Sequence, residues 1–493
     1  MVLEGNWISK LFSRRSQGQQ RLSIGEREIL PQTQVIVPEV NEEFATNSAR
    51  LTWFIRDLHA IEGEKRGGLV DFDLAPLDER SDILKDMVIA RPTKDETAVR
   101  FQKLRAMRKD LATADRPTDP EEGQQYDFLE RKLLAMDTFT QRKNGSVIDF
   151  HNYIELTQGF TPEVIPESIL TAQLEVIKQM YSQEGVQYNA TAISEYRKKN
   201  QVPENELEAK IKYFGDNFLS KVSEFIGENL NPNYTVEAVS LNEYWINWAD
   251  GIRNKFKLKI NTYKKRHAGK FTTGKSVELG LHEIAGHFGQ MAGWQNSIDK
   301  GELIAALGIT SVVDPEQVSS EGIAQTIYHF VPGILNRLTD EEVAQAELEI
   351  EQNGLRQMVY HNVHIWLNTI DLPEESVVEY VRKYLPAEKL EDIRRHIHDR
   401  TIDDKKASYL MSYGMGFYLH REYSLCLNTA GKRELLRFLY SRPVTPQQEY
   451  EFVMSLINDS ENKLGTGRIP FEGKVNQPDS IMKFPEIELN KAA

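Results

Sequence analysis

A mainly helical α+β fold follows from three features of the sequence. Helical apolar periods run from Asn41 to Phe214 and again through residues 319–458. Between them lie two short runs with strand character, Tyr234–Ser240 and Phe256–Ile260. An apolar segment rich in small residues, starting near Gly274, then carries two histidines and a glutamate. The expected architecture is a helical protein with a small sheet ahead of that motif helix.

The elements follow in order. Pro31 and Pro38 break residues 1–40 into an irregular tail. Leu51, Phe54, Ile55 and Leu58 form one helical stripe; Leu84, Met87 and Val88 belong to another. Arg100–Leu111 is a third helix, rich in Lys and Arg, and the two prolines of Asp115–Gln125 predict an acidic loop. Residues 126–143 and 166–182 read as amphipathic helices, and Pro203 is placed to open a charged helix over Glu204–Phe214. Phe256-Lys-Leu-Lys-Ile260 alternates apolar and basic residues, the pattern of a half-solvated edge strand. Helices are expected at 319–331, 340–370, 374–384, 387–399, 403–425, 431–440 and 446–458. The divisions are a tail (1–40), an N-terminal helical region (41–150), a large unit over 151–465 and a Pro-rich tail (466–493).

Composition narrows the function. A 40% hydrophobic and 27% charged chain of 493 residues is globular in type. Its net charge of −14 disfavours a general binder of nucleic acid or anionic membrane. No apolar run is long enough to span a bilayer. The segment MVLEGNWISKLFSRRSQGQQR lacks the apolar core of a signal peptide and reads as a frayed tail. The single cysteine, Cys426, permits no intramolecular disulfide and no Cys-rich zinc site, which fits a reducing cytoplasm, the expected compartment.

His282-Glu283-Ile284-Ala285-Gly286-His287 carries the chemistry. Neutral imidazoles hold zinc, and an adjacent carboxylate, Glu283, can take a proton from the attacking water. The two histidines are five residues apart, so on a regular α-helix they diverge by about 140°. A π-bulge brings them back onto one side, and Gly286 is where backbone distortion costs least. Leu281, Ile284, Phe288 and Met291 keep an unbroken helical period, so a bulged helix must be buried on several sides. Gly280, Ala285, Gly289, Ala292 and Gly293 allow that packing.

Zinc needs a third protein ligand. Glu321, in Ser319-Ser320-Glu321-Gly322-Ile323-Ala324, is the candidate. Ser319 or Ser320 can cap the helix there, and Gly322 leaves room for the motif helix. Asp299, Glu302, Asp314, Glu316 and His329 are alternatives, and a plain first-turn acid is the structural reading of Glu321.

With these residues in view, the chain resembles the H-E-x-x-x-H zinc metallopeptidases that include the microtubule-associated tyrosine carboxypeptidases and bacterial proteins of unassigned function. The resemblance rests on HEIAGH at 282–287, EGIA at 321–324, the lead-in Phe271–Leu281, and Trp294-Gln295. It covers about fifty residues. Where that family has a basic residue shortly after the second histidine, this chain has Phe288-Gly289-Gln290, so substrate preference does not carry over. The resemblance implies a zincin-like catalytic domain holding one Zn2+ on His282, His287 and Glu321, with Glu283 as general base. It further implies a carboxypeptidase acting on peptide or protein C-termini. A zinc endopeptidase or amidase is the runner-up, and a non-catalytic helical scaffold or regulatory protein that retains a metal site is the reading of another class.

Two features bear on substrate. Arg253–Lys275 holds nine Lys or Arg and no acid, so Lys264, Lys265 and Arg266 are candidates for gripping a terminal carboxylate. A solvated basic face explains them equally well. Tyr409, Tyr413 and His420 crowd one helix, and Tyr328 lies two turns beyond Glu321. Any of these can stabilise an oxyanion, although such a stripe is more often core.

Overall fold

The computed structural model describes Thr52, Arg56 and residues 70–75, 94–113 and 116–458, apart from Tyr244, Ala268, Ile402 and Asp403. The stripes expected at 51–58 and 84–88, and both tails, lie almost wholly outside the described residues.

A short strand, β1 (Val70–Asp73), precedes six helices: α1 (Lys94–Thr113), α2 (Pro120–Lys143), α3 (Phe150–Gln158), α4 (Glu167–Gln183), α5 (Ala190–Lys199) and α6 (Glu204–Ile226). Then come β2 (Asn233–Val239), β3 (Asn247–Ile252), β4 (Lys255–Asn261) and the single turn α7 (Lys264–His267). A continuous rod follows: α8 (Thr273–Leu279), a π-helix over Gly280–Phe288, and α9 (Gly289–Asp299). After β5 (Ile309–Ser311) the chain is helical: α10 (Gln317–Phe330), α11 (Asp340–Thr369), α12 (Glu374–Tyr384), α13 (Leu390–Asp399), α14 (Asp404–Cys426), α15 (Thr429–Ser441) and α16 (Pro446–Asn458). The protein is mainly α with one small mixed sheet.

Local chemistry fixes the element ends. Asp119 accepts the backbone N–H groups of Glu121 and Glu122, and Pro120 takes the first helical position, where its missing N–H costs nothing. The acidic loop expected to reach Gln125 therefore stops at Asp119. Thr339 and Glu342 form a capping box at the start of α11.

The sheet has the order β2-β4-β3-β1-β5. β2 pairs with β4 in parallel and β4 with β3 antiparallel. β1 is parallel to β3 and antiparallel to β5. The basic strand β4 is thus flanked on both sides. The edge position expected for it is corrected: alternation reveals which face is wet, but not whether the sides are covered. Lys257 and Lys259 meet acids of the neighbouring strands, Glu237 at 3.2 Å and Asp250 at 3.6 Å.

Two apolar cores meet at the rod. One lies among the helices and takes Val277, Leu281 and Ala285 from it. The other lies under the sheet and takes Leu279, Ile284, Phe288, Met291 and Trp294. Phe288 stacks on Phe256 of β4 at 5.2 Å and meets Phe72 of β1 edge-on at 6.2 Å. Burying a side chain such as Leu281, Ile284 or Phe288 contributes about 1.5–3 kcal/mol, enough in sum to offset the poorer backbone bonding of a π-segment. β1 and α2, from the segment expected as the N-terminal helical region, share this sheet and core. Among the described residues, no helix is long and apolar enough to cross a membrane.

Candidate metal centre

The rod departs from α-helix where the histidine spacing requires it. In the π-segment His282 and His287 turn toward each other, with ring centroids 4.7 Å apart and Nε2 atoms 3.2 Å apart. Tyr440 donates from its hydroxyl to the Ala285 carbonyl at 2.8 Å inside this segment.

α10 supplies the third group. A Cβ added to Gly286 would stand 2.7 Å from the Ala324 Cβ, so only glycine allows α10 this close to the π-segment. Glu321, 2% exposed, then places Oε2 3.5 Å from His282 Nε2 and 3.6 Å from His287 Nε2. Among the described residues, this is the one cluster of His, Cys, Asp and Glu with the compactness of a metal site. Oε2 is buried and has no hydrogen-bond partner. Three ligands at the usual 2.0–2.2 Å from a tetrahedral zinc stand roughly 3.3–3.6 Å from one another. The three observed separations match that spacing, and the donor set of two imidazoles and a carboxylate suits zinc.

Ser320 orients the second imidazole. Its hydroxyl donates to Gln290 Oε1 at 3.2 Å and has no second proton to give. It therefore accepts from His287 Nδ1, 3.3 Å away, which leaves the Nε2 lone pair facing the triangle. The Nδ1 of His282 is buried without a partner. Glu321 is anchored through its other oxygen, Oε1, which accepts the Tyr409 hydroxyl at 2.7 Å; Tyr413 in turn donates to Tyr409 at 2.7 Å.

Glu283 lies beside the triangle, 3.8 Å from His282 Nε2, and its Oε1 accepts the Asn247 side-chain amide at 2.5 Å. Burial raises its carboxyl above the ordinary range, against the pull of both histidines. Burial lowers His282, against the pull of Glu283 and Glu321. Burial also pushes His287 down, but the charge of Glu321 reverses the direction. Glu321 is the converse: burial pushes it up and His287 draws it below its usual value.

The other sequence candidates divide. Tyr409 is brought to the site as a partner of Glu321, and Tyr413 as a partner of Tyr409. Tyr328 lines a cavity beside His282 with Leu281, Gln325 and Phe417, but its hydroxyl donates to Glu347 at 2.8 Å. His420 is corrected: it lies behind α10, with Nε2 2.7 Å from Glu449 Oε1. Lys264, Lys265 and Arg266 follow closely on β4. They are exposed on α7, where Lys264 faces Glu204 at 4.0 Å and Arg266 bonds Asn242 at 2.9 Å. Lys275, whose charge bears on His282, is held by Glu278 at 2.5 Å. Of the alternative ligands, Asp314 and Glu316 surround the buried Lys132, Asp299 meets Arg253 at 3.0 Å, and His329 meets Glu351 at 3.3 Å.

Ser319 and Ser320 do not cap α10, which begins at Gln317; Ser319 bonds Glu449 and Ser320 serves His287. Gly322 makes room for His420 and the Gly416 carbonyl of α14, not for the motif helix. Sequence reasoning missed Asn247 and Asp71. Asp71 sits at a bulge between β1 and β5. Burial, then the charge of Glu321, raises its carboxyl to about 8.

No family model matches the chain, and no curated protein matches it. Among solved structures, a "putative lipoprotein" from Colwellia psychrerythraea is 13% identical with a TM-score of 0.49, over 85% of this chain and 77% of that one. A second protein of that description, of unknown function, from Shewanella oneidensis is 11% identical with a TM-score of 0.44, over 77% of this chain and 80% of its own.

Proposed function

We propose that the protein is a zinc-dependent peptidase of zincin type. The observation that carries this reading is the triangle of His282 Nε2, His287 Nε2 and Glu321 Oε2, with edges of 3.2, 3.5 and 3.6 Å around an unpartnered carboxylate oxygen. These three residues would hold the ion. When bound, zinc supplies Lewis acidity toward a carbonyl oxygen and makes water a nucleophile near neutral pH. Glu283 takes the proton of the attacking water and returns it to the leaving amine. Asn247 donates to Oε1, the Glu283 oxygen that faces His282, and so holds the carboxylate beside the triangle.

A peptide substrate is supported by β3. Its pairing with β1 is confined to Gly251 and Ile252, so the other side of Asn247–Asp250 has no strand partner among the described residues. An extended chain can add there, next to Glu283. A carboxypeptidase also needs a cation for the terminal carboxylate. Lys264 and Arg266 are engaged by Glu204 and Asn242, and Lys275 is tied to Glu278. This favours cleavage within a chain over removal of its last residue.

The test is metal analysis of the purified protein beside His287→Ala, followed by incubation with a peptide library and mass mapping of products. Stoichiometric zinc lost in the variant, and cleavage abolished by Glu283→Gln with zinc retained, support the reading. Zinc-loaded protein that cleaves no peptide, in a library holding both free and amidated C-termini, favours the non-catalytic alternative. Products confined to free C-termini restore the carboxypeptidase.

A further inference from the structure

We propose that Tyr409 is a positioning residue for the metal centre, and that Tyr413 acts through it: together they hold Glu321 so that one carboxylate oxygen, Oε2, is presented to the ion. This rests on the metal reading above and extends it to residues that touch no ion.

The placement begins with glycine. A Cβ on Gly416 would stand 2.6 Å from the Val318 carbonyl and 2.8 Å from the Gly322 nitrogen, so α10 and α14 meet backbone to backbone there. Tyr409 lies about two turns before Gly416 on α14, and the close crossing brings its hydroxyl to Glu321 Oε1 at 2.7 Å. Gln325, one turn beyond Glu321, ties the same helices again by donating to the Tyr413 carbonyl at 3.2 Å.

Hydrogen-bond direction is fixed by chemistry. An ionised carboxylate only accepts, so the Tyr409 proton points at Oε1, and the Tyr409 oxygen is left to accept from Tyr413 at 2.7 Å. The chain is polarised toward Glu321, and each bond strengthens the next. Oε1 is thereby occupied while Oε2 faces both Nε2 atoms. Without the phenol, the carboxylate is free to rotate or to offer both oxygens. Loss of an outer partner of a metal ligand lowers affinity about 10- to 100-fold.

The experiment is zinc titration against a competing chelator for the wild-type chain, Tyr409→Phe, Tyr413→Phe and the double variant. Phenylalanine keeps the ring and its packing. Tyr409→Phe is expected to lose about 10- to 100-fold in zinc affinity, and Tyr413→Phe less. Tyr413→Phe should add nothing once Tyr409 is already Phe. Cobalt(II) absorption supplies a readout that a merely structural role would not move, because a second carboxylate oxygen raises the coordination number and weakens the visible bands. Melting of the metal-free chains shows whether each variant is folded; should Tyr409→Phe melt early, Tyr413→Phe and its cobalt spectrum carry the test. Wild-type affinity in Tyr409→Phe, or additive losses in the double variant, overturns the inference and leaves the metal centre standing. A wild-type chain that takes up no zinc overturns both.

Discussion

Ser320 and His287 are joined side chain to side chain, with Oγ 3.3 Å from Nδ1, and Ser320 is the residue immediately before Glu321. One turn of α10 therefore supplies an acid to the triangle and also sets which nitrogen of the second imidazole faces it. Ser320→Ala removes the acceptor for Nδ1–H while leaving the packing almost unchanged. The expected outcome is about a tenfold loss of zinc affinity with an unchanged melting temperature of the metal-free protein, read by chelator competition and calorimetry. Unaltered affinity would mean that His287 is oriented by packing alone.

The α10–α14 crossing predicts a steric effect. Gly322→Ala would put a methyl group 2.1 Å from His420 Nδ1 and 2.7 Å from the Gly416 carbonyl. Forced overpacking of this kind costs about 1–3 kcal/mol. Because the shift also moves Glu321, zinc uptake should fall together with the thermal midpoint. A variant that melts like the parent would show that the helices separate at little cost.

Lys132 is fully buried, bonds the Ile309 carbonyl at 2.5 Å, pairs with Asp314 and lies 3.4 Å from Glu316. One cation faces two acids. Burial raises both carboxyls and the lysine draws both back; Asp314, in direct contact with the ammonium, is its nearer partner. Lys132→Met should cost about 3–5 kcal/mol in urea denaturation. Adding Asp314→Asn should recover part of that loss. A double variant no more stable than the single would show that the lysine's tie to Ile309 matters more than its charge.

Glu351 gives the pH prediction. Burial alone would raise its carboxyl, but the His329 hydrogen bond and the Arg421 charge overcome this and hold it at about 2, below its ordinary 4.5. A depressed carboxylate stabilises the fold above the unfolded value and loses that contribution as pH falls toward the folded one. The shift corresponds to about 3 kcal/mol at neutral pH, lost progressively from about pH 4.5 toward 2. Urea midpoints of wild type and Glu351→Gln should differ most at pH 7 and converge toward pH 3. An equal gap at both pH values would assign the effect to packing.

The motif helix was legible because two signals conflicted. Histidines five apart demand a bulge, while Leu281, Ile284, Phe288 and Met291 keep an α-period. The conflict is resolved by burial on both sides, with Leu281 in one core and the other three in the second. Glu321 was legible from its neighbourhood, though not its mode of support. Ser320 read as a cap, yet it serves a histidine on another helix. β1, β3 and β5 escaped notice. β5 spans three residues, β1 alternates Val and Phe with aspartates, and β3 is only half-covered, so none shows a clear apolar period. Asp71 and Asn247, which ride on two of these strands, could not be placed. The basic run over 253–275 was visible, but the partners that neutralise much of it come from distant segments: Glu237, Asp299 and Asp392.

All three residues of the triangle ride on helices wedged between well-packed interiors, and none is borne by a loop. On the proposed metal reading, the pocket would therefore stand assembled before any ion arrives. Uptake should proceed as simple capture, without the wholesale ordering that makes small zinc modules collapse when stripped by a chelator. If the proposal holds, a chelator would abolish cleavage and leave the architecture upright, its melting point lower only by what mass action supplied.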